Sequence, residues 1–167
     1  MMFREMRRDR QSLSREDCIS ILERGTSGVL ALSGDGGYPY AVPLSYLYHD
    51  GALYFHSAKS GHKLDAIRSC PRASFCVIGQ DQIVPLRRTT FYRSVIAFGS
   101  IDILEEAAEK RRAIDALTAK YASEDSIENR NAVIERQWDL FYMLKFSIEH
   151  LSGKQARGLL EKQSPAP

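Results

Sequence analysis

The segment His56–Lys63 carries residue types that bind phosphate groups in proteins. It places small residues and a glycine between an apolar strand pattern and the start of a helical pattern. Backbone N–H groups at a helix start, together with the helix dipole, attract anions. Ser57 adds a hydroxyl, and Lys59 and Lys63 add positive charge. The glycine spacing is not that of a Walker A loop, so the segment predicts a simpler phosphate cradle, with a junction that binds only water as the alternative.

Pro43 interrupts the segment Tyr38–Tyr48, whose side chains otherwise alternate as in a β-strand. Proline has no N–H to donate, so within sheets it is found at edges or bulges. The segment is therefore either a plain edge strand or a strand whose neighbouring backbone groups are free to bind a ligand. Trp138, the one tryptophan, also allows two interpretations. It either packs in the core or at a subunit contact, or it forms an aromatic lid over a planar ligand.

Metal and nucleophile chemistry find little support in the sequence. The histidines His49, His56 and His62 lie near Cys70 and Cys76, but no spacing among them fits an established zinc pattern. We therefore predict no metal site. The sequence contains no G-x-S-x-G motif and no cysteine with an evident histidine partner.

Alternating apolar residues and turn signals predict a mainly β protein with peripheral helices. Glycine-rich and aspartate-rich turns follow the first and second strands, and Gly99 predicts a bulge or bend. Residues 79–90 have the composition of a longer connection. Short connections favour antiparallel pairing, and a closed or nearly closed barrel would hide the sheet edges. The predicted strands are six, Ser27–Ser33, Tyr38–Tyr48, Ala52–Ser57, Ala73–Ile78, Phe91–Leu104 and Phe141–Leu151, and the predicted helices are a first one after Ser14, then His62–Ser69, Glu105–Tyr121 and Arg130–Trp138.

Composition narrows the class of protein. The chain has 167 residues and a net charge of +2, which is too balanced for nucleic acid as the main partner. No apolar stretch approaches the roughly 20 residues that span a bilayer, and the N-terminus has no apolar signal core. The three cysteines form no CxxC pair, which is typical of reduced thiols. We therefore expect a cytoplasmic protein with no membrane partner.

An ordered set of short motifs resembles one known family. The chain is similar to the FMN-binding split-barrel proteins related to pyridoxamine 5′-phosphate oxidase, and most similar to their branch of 5-nitroimidazole-resistance (Nim) reductases. The resemblance covers about residues 1–155 as one domain and leaves 156–167 as a C-terminal tail. Its motifs are Phe3–Arg8, Gly28–Leu30, Asp35–Tyr46, Tyr54–Ala58, Gly61–Leu64, Ser94–Gly99 and Ser152–Lys154.

The resemblance implies a six-stranded antiparallel split β-barrel that forms a homodimer with FMN at the subunit interface. Each site then uses both chains, and a two-fold axis makes two equivalent sites. The implied cofactor-binding residues are Pro43, Leu44, Ser45 and Tyr46 at the flavin ring, His56, Ser57 and Ala58 along the ring and ribityl chain, and His62 and Lys63 near the phosphate or the ring edge. The resemblance also makes His62 the candidate catalytic residue, on the substrate side.

The resemblance further implies an FMN-dependent oxidoreductase that passes electrons from NADH or NADPH to a small planar acceptor, with nitroaromatic compounds among the candidates. The substrate-binding residues of true pyridoxamine-phosphate oxidases cannot be recognised, which argues against vitamin B6 phosphates as substrates. Two alternatives remain open. One is a non-catalytic flavin-binding or sensor protein, and the other is a haem-binding split barrel in which His56 or His62 ligates iron.

Overall fold

The computed structural model describes residues 3–160 of the chain, which form a seven-stranded antiparallel sheet with five peripheral helices. The helices are α1 (Arg15–Arg24), α2 (His62–Ser69), α3 (Ala107–Tyr121), α4 (Ile127–Gln137) and α5 (Arg157–Leu160). The strands are β1 (Ser27–Ser33), β2 (Pro39–Ser45), β3 (Leu47–His49), β4 (Ala52–Ala58), β5 (Arg72–Val84), β6 (Thr89–Ile103) and β7 (Phe141–Gln155).

The order of the strands across the sheet is β2-β1-β5-β6-β7-β4-β3. All the pairings are antiparallel, as the short connections predict. Within residues 3–160 no ladder joins β2 to β3, so these two strands are the edges of an open sheet. The prediction of six strands was therefore wrong in its strand count, since the sheet has seven. Over these residues the sheet is not closed, and its antiparallel order is consistent with the predicted split barrel. The mainly β architecture with peripheral helices is confirmed.

The seventh strand arises because the predicted strand Tyr38–Tyr48 is divided at Tyr46. The Tyr46 side chain is fully buried, and its hydroxyl donates to Leu22 O at 2.7 Å. Its backbone N–H donates to the Tyr121 hydroxyl at 2.9 Å instead of to a strand. The alternation of inward-facing residues nevertheless continues across the break, since Leu44, Tyr46 and Tyr48 all pack in the same core.

Residues 79–90 belong to a long hairpin of β5 and β6, so their prediction as a connection was wrong. The pairing continues from Gln80↔Arg93 to Val84↔Thr89, after an irregularity between Ile78 and Gln80. Most side chains of this part of β5 are exposed or only half-buried, which permits polar residues on both faces. Because neither face of this part of β5 is buried, neither face has to be apolar. The resulting polar sequence is therefore similar to that of a loop.

Local signals for turns and caps are confirmed. Ser14 caps α1 by accepting from Asp17 N at 3.0 Å, and Gly25 ends that helix. The β3–β4 turn contains Asp50 and Gly51 with positive φ. The register shifts between Phe98 and Gly99, where a Cβ would lie 1.9 Å from the carbonyl oxygen of Ser147.

Two apolar clusters hold the helices α1 to α4 against the sheet. The larger one joins inward-facing strand residues such as Phe55 and Phe75 to Leu22 of α1 and Leu64 of α2. The smaller one packs α3 and α4 against the β7 side of the sheet through Ile114, Leu117, Ile134, Leu104 and Met143. Burial of each large apolar side chain contributes about 1.5–3 kcal/mol. The α3–α4 pair is therefore fixed over the ends of β2 and β4, where the candidate site lies.

Two further features concern the ends of the chain and the membrane prediction. Ala156 and Leu159 are buried against Phe91, so the first part of the predicted tail packs on β6. Residues 161–167 lie outside the described residues.

No helix between residues 3 and 160 is long and apolar enough to cross a membrane.

Candidate functional site

A cavity of about 590 Å³ lies between the sheet and the α3–α4 pair. This volume is in the range of small-molecule sites in proteins. Its walls are mostly apolar, formed by Ala58, Ile114, Leu117, Val133, Ile134, Leu140 and Phe141. Its polar groups belong to Ser45, His56, Thr118, Tyr121 and Gln137. No aspartate, glutamate, lysine or arginine is among the residues that line it, so the cavity is suited to a neutral, largely apolar body.

Three of the predicted site residues line this cavity, namely Ser45, His56 and Ala58. They come from the ends of two different strands, and all three are exposed on the face of the sheet opposite the core. On β4, His56 and Ala58 alternate with Phe55 and Ser57, which are buried. Strand alternation therefore places His56 and Ala58 together on the side that α3 and α4 cover.

Other predicted residues lie beside the cavity without lining it. Leu44 is half-buried against the core, and Tyr46 and Ser57 are buried. Pro43 is exposed on the edge strand β2, paired with Val29 of β1. A role of these four residues at a cofactor stays a prediction.

The start of α2 lies close to the cavity through Lys63. Gly61 precedes the helix with φ of 117°, and no side chain caps its first turn. Burial lowers the pKa of the half-buried Lys63 ammonium. None of the ion pairs within residues 3–160 includes Lys63. Lys63 therefore presents a positive charge without an ion-pair partner at the start of a helix, which is the arrangement of an anion site. The N–H groups of Leu64 and Asp65 there donate to Gly61 O.

His56 links the cavity to Lys63. His56 is exposed on the β4 surface, but the surrounding walls remove enough water to lower the pKa of its imidazole, and the Lys63 ammonium lowers it further. The neutral imidazole is the favoured form at neutral pH. A neutral imidazole can donate one hydrogen bond and accept another.

His62 points away from this cavity toward the β1–β2 turn. Its ring stacks on Tyr40 with the centroids 4.1 Å apart, and its Nε2 lies 3.5 Å from Asp35 Oδ2. Both members of this ion pair are exposed, so its contribution to stability is small. His62 is not among the residues that line the cavity, and its catalytic role stays a prediction.

The C-terminal end of α3 contacts the break between β2 and β3, and its Tyr121 also lines the cavity. The Tyr121 hydroxyl accepts from Tyr46 N at 2.9 Å and lies within donating distance of Tyr46 O, at 2.8 Å, and of Thr26 O. Lys120 Nζ donates to Gly25 O at 2.5 Å and to Tyr46 O at 3.2 Å. The sequence analysis missed this role of Tyr121, because its partners lie 75 and 95 residues away and no local pattern connects them.

Thr118 and Gln137 are the other polar cavity residues that the sequence analysis missed. Both lie on helices that were predicted, but their faces could not be assigned without knowing where α3 and α4 pack. Trp138 does not line this cavity. It is half-buried against Phe141, with ring centroids 6.0 Å apart, so the aromatic group of this segment in the cavity is Phe141 rather than Trp138. Within residues 3–160, no three histidine, cysteine, aspartate or glutamate side chains are grouped to hold a metal ion.

Comparison with known proteins identifies a family. The family model described as pyridoxamine 5′-phosphate oxidase matches residues 14–155 of the chain. No curated protein sequence matches the chain.

Solved structures share the fold. A candidate 5-nitroimidazole antibiotic resistance protein from Bacteroides thetaiotaomicron is 20% identical, with a TM-score of 0.72 over 86% of each chain. A FAD-binding protein from Mesorhizobium loti is 25% identical, with a TM-score of 0.60 over 87% of this chain and 97% of that one. The FAD and haem binding protein from Mycobacterium smegmatis is 24% identical, with a TM-score of 0.70 over 89% of this chain and 74% of that one.

Proposed function

We propose that this chain, which belongs to the pyridoxamine 5′-phosphate oxidase family, binds FMN and acts as an FMN-dependent oxidoreductase. The observation that carries this proposal is the junction at His56. On one side of His56 lies an uncharged, mostly apolar cavity of about 590 Å³, and on the other side lies the unpaired Lys63 ammonium at a helix start. A flavin mononucleotide has the same two parts, a flat ring system and a terminal phosphate.

The donor groups present fit these two parts. The ring would lie against Ser45, His56 and Ala58, with the hydroxyl of Thr118 and the amide of Gln137 available to its polar edge. The phosphate would be held by Lys63 and the backbone at the start of α2, where His62 is the first residue of the helix. A phosphate at Lys63 would also restore a counter-charge to an ammonium that has none within residues 3–160.

FMN, when bound, would supply the redox chemistry, which is the acceptance of electrons from NADH or NADPH and their delivery to an acceptor. The residues of this chain would bind the ring, orient it and exclude water from it. Because the cavity carries no formal charge, it favours a neutral planar acceptor over an acidic one. Nitroaromatic compounds are the class to test first, and a structural neighbour described as a candidate nitroimidazole resistance protein supports that choice.

We further propose that the protein is a homodimer in which a second copy completes the site. The outer face of the sheet carries the apolar residues Val29 and Ile96, which are 41% and 37% exposed. Register places them in one row with Pro43 and Cys76 across four neighbouring strands. An exposed apolar row beside the edge strand that contributes Ser45 is suited to a two-fold contact with the same row of a second copy.

A spectrum of the purified protein tests the proposal. After addition of FMN and removal of the unbound excess, a retained flavin absorption band is expected, and chromatography of the released cofactor distinguishes FMN from FAD. Anaerobic NADH or NADPH should then bleach the band, and a nitroimidazole should restore it. No retained flavin would refute the cofactor assignment. Retained flavin that neither nucleotide reduces would refute the oxidoreductase assignment and leave a flavin-binding or sensor protein.

Haem binding is the second candidate function. It is supported by a neighbour described as binding both FAD and haem, and by the lowered pKa of His56, since neutral imidazole is the form that ligates iron. Haem added to the purified protein should then give a sharp Soret band that is lost in His56→Ala. A Soret band that is absent, or unchanged in that variant, would remove this candidate.

A further inference from the structure

A second cavity, of about 440 Å³, lies beside the first one where β4, α2 and the start of α3 meet the segment after α4. We call it the Trp138 cavity, because the single tryptophan of the chain lines it. Ala58 lines the first cavity and the next residue, Lys59, lines this one. The two cavities are therefore neighbours across the end of β4, with no lining residue in common.

The Trp138 cavity collects positive charge, and two of its three cations have no ion-pair partner within residues 3–160, whereas Arg68 pairs with Asp65. Lys59, Arg68 and Lys110 line it, and Lys110 is only 8% exposed. None of the ion pairs within residues 3–160 includes Lys59 or Lys110. Two carboxylates, of Glu105 and Asp139, also line the cavity, so its walls carry a net charge of one positive unit. A buried ammonium without a paired carboxylate is unfavourable unless a ligand or a polar group compensates it.

The protein itself compensates Lys110 only in part. Lys110 Nζ donates to Trp138 O at 2.6 Å and lies 4.1 Å and 4.2 Å from the ring centroids of Trp138 and Phe141. An ammonium has three donors, and this carbonyl uses one of them. Burial and then the charge of Lys59 lower the pKa of Lys110, and the charge of Asp139 partly opposes this shift. The Lys59 and Lys110 ammonium groups are therefore close enough to repel each other. An anion between them would convert this repulsion into attraction.

The remaining walls favour an anion with a flat body. Trp138 and Tyr142 both line the cavity, and the Lys59 ammonium lies 5.3 Å from the centroid of the Tyr142 ring. Aromatic side chains stack on planar ligands, and cations at the same rings bind the charged group of such a ligand. We propose that the Trp138 cavity is a second binding site, separate from the FMN cavity, for a small planar organic anion.

Tryptophan fluorescence tests this proposal, since Trp138 is the only tryptophan and lines the site. The full chain is titrated at constant ionic strength with benzoate, with benzamide as its neutral analogue, and with inorganic phosphate as an anion without a ring. Benzoate should give a saturable change at a lower concentration than either of the others. No saturable change with benzoate, equal binding of benzamide, or equal binding of phosphate would each overturn the proposal.

Variants locate the binding. Lys110→Met and Lys59→Met should each weaken benzoate binding, by about tenfold for the buried Lys110. Arg136→Met is the matched control, because Arg136 is an exposed cation on α4 that lines neither cavity, and it should bind benzoate as the wild type does. Lys59 is exposed, so its variant stays informative even if Lys110→Met does not fold. Wild-type benzoate affinity in Lys59→Met would overturn the proposal.

The proposal does not depend on FMN binding, and a competition experiment separates the two sites. Saturating FMN should leave the dissociation constant of benzoate unchanged if the cavities are independent. Displacement of benzoate by FMN would overturn the assignment of a separate site. Failure of the protein to bind FMN at all would refute the proposed function and leave the benzoate result intact.

Discussion

At the scale of single residues, Lys63 and His56 carry the electrostatics of the candidate FMN site. Burial lowers the pKa of Lys63, and Lys63 in turn lowers the pKa of His56. Partial burial of the Lys63 ammonium, and of a protonated His56, costs free energy when no ligand is bound. A phosphate dianion would recover that cost at Lys63, so the arrangement is better suited to a complex with an anion than to the protein alone.

Lys63→Ala should weaken FMN binding on the order of ten- to a hundredfold. The reason is the loss of a charge-assisted contact to the phosphate, worth about 1.5–3 kcal/mol. The measurement is a titration of the protein with FMN, in which the quenching of the flavin fluorescence reports binding. Arg68→Ala is the control, since Arg68 lies on the same helix and pairs with Asp65 at 3.5 Å. Equal FMN affinity in Lys63→Ala and the wild type would refute the phosphate site.

His56 should make the stability of the protein depend on pH. Its native pKa is lowered, first by burial and then by Lys63, whereas its pKa in the unfolded chain has the ordinary value of about 6.5. Between those two values the unfolded state binds more protons than the native state. The free energy of unfolding therefore rises with pH across that window, and it is constant with respect to this group above the unfolded pKa and below the native pKa.

His56→Asn removes the titrating group and isolates the effect. Urea unfolding at about pH 7.5 and about pH 5 should show that the wild type loses stability relative to His56→Asn as the pH falls. An NMR titration of the His56 ring should show its pKa rising toward the ordinary value in Lys63→Ala. A stability difference between wild type and His56→Asn that is the same at both pH values would contradict the prediction.

Among the polar residues that line the cavity, those on strands were named from the sequence and those on helices were not. Ser45, His56 and Ala58 line the cavity, and each was implied by the family resemblance through the motifs Asp35–Tyr46 and Tyr54–Ala58. Their role at a cofactor stays a prediction. Thr118 and Gln137 were not named, although their helices were predicted. Strand alternation fixes which side a residue faces, whereas the face of a helix depends on how it packs against distant elements.

At the scale of elements, the break between β2 and β3 depends on α3. Edge strands present unpaired backbone groups, and here those of Tyr46 are satisfied by the Tyr121 hydroxyl and the Lys120 ammonium at the end of α3. The same Tyr121 lines the cavity. The contact between Tyr121 and Tyr46 therefore joins the break between β2 and β3 to the wall of the cavity.

Tyr121→Phe should destabilise the protein by about 1 kcal/mol, at the lower end of the cost of an unsatisfied buried group, because water can reach this partly exposed position. Urea unfolding followed by circular dichroism measures the change. Tyr38→Phe is the matched control, since Tyr38 is 78% exposed and loses the same atom. If both variants unfold at the same urea concentration, the Tyr121 hydroxyl does not hold the break.

The predicted elements were accurate where local chemistry decides and inaccurate where distant contacts decide. The turn at Asp50–Gly51 and the irregularity at Gly99 follow from residues that adopt positive φ or lack a side chain. The division at Tyr46 could not be predicted, because the residue that causes it is 75 positions away. The β5–β6 hairpin was missed because a strand exposed on both faces has no apolar alternation.

At the scale of the whole molecule, the open sheet leaves two features that one chain does not cover. The edge strands β2 and β3 are unpaired with each other within residues 3–160, and the outer face exposes the row of Val29 and Ile96. Natural sheets cover or close such edges and faces. A second copy docked on this row would bury it, and would bring a partner surface close to the end of β2, where Ser45 lines the cavity.

The proposed shared site would make dimerisation and FMN binding one linked equilibrium. Ile96→Arg places a charge in the apolar row and should convert a dimer into monomers, which light scattering on a size-exclusion column measures. Because each site is proposed to use both chains, the same variant should also bind FMN more weakly, and more so as the protein is diluted. Ile127→Arg is the matched control, since Ile127 is 63% exposed on α4, away from the row. A wild type that is monomeric at every concentration and still binds FMN tightly would refute the shared site, whereas an Ile96→Arg variant that remains dimeric would place the contact on another face.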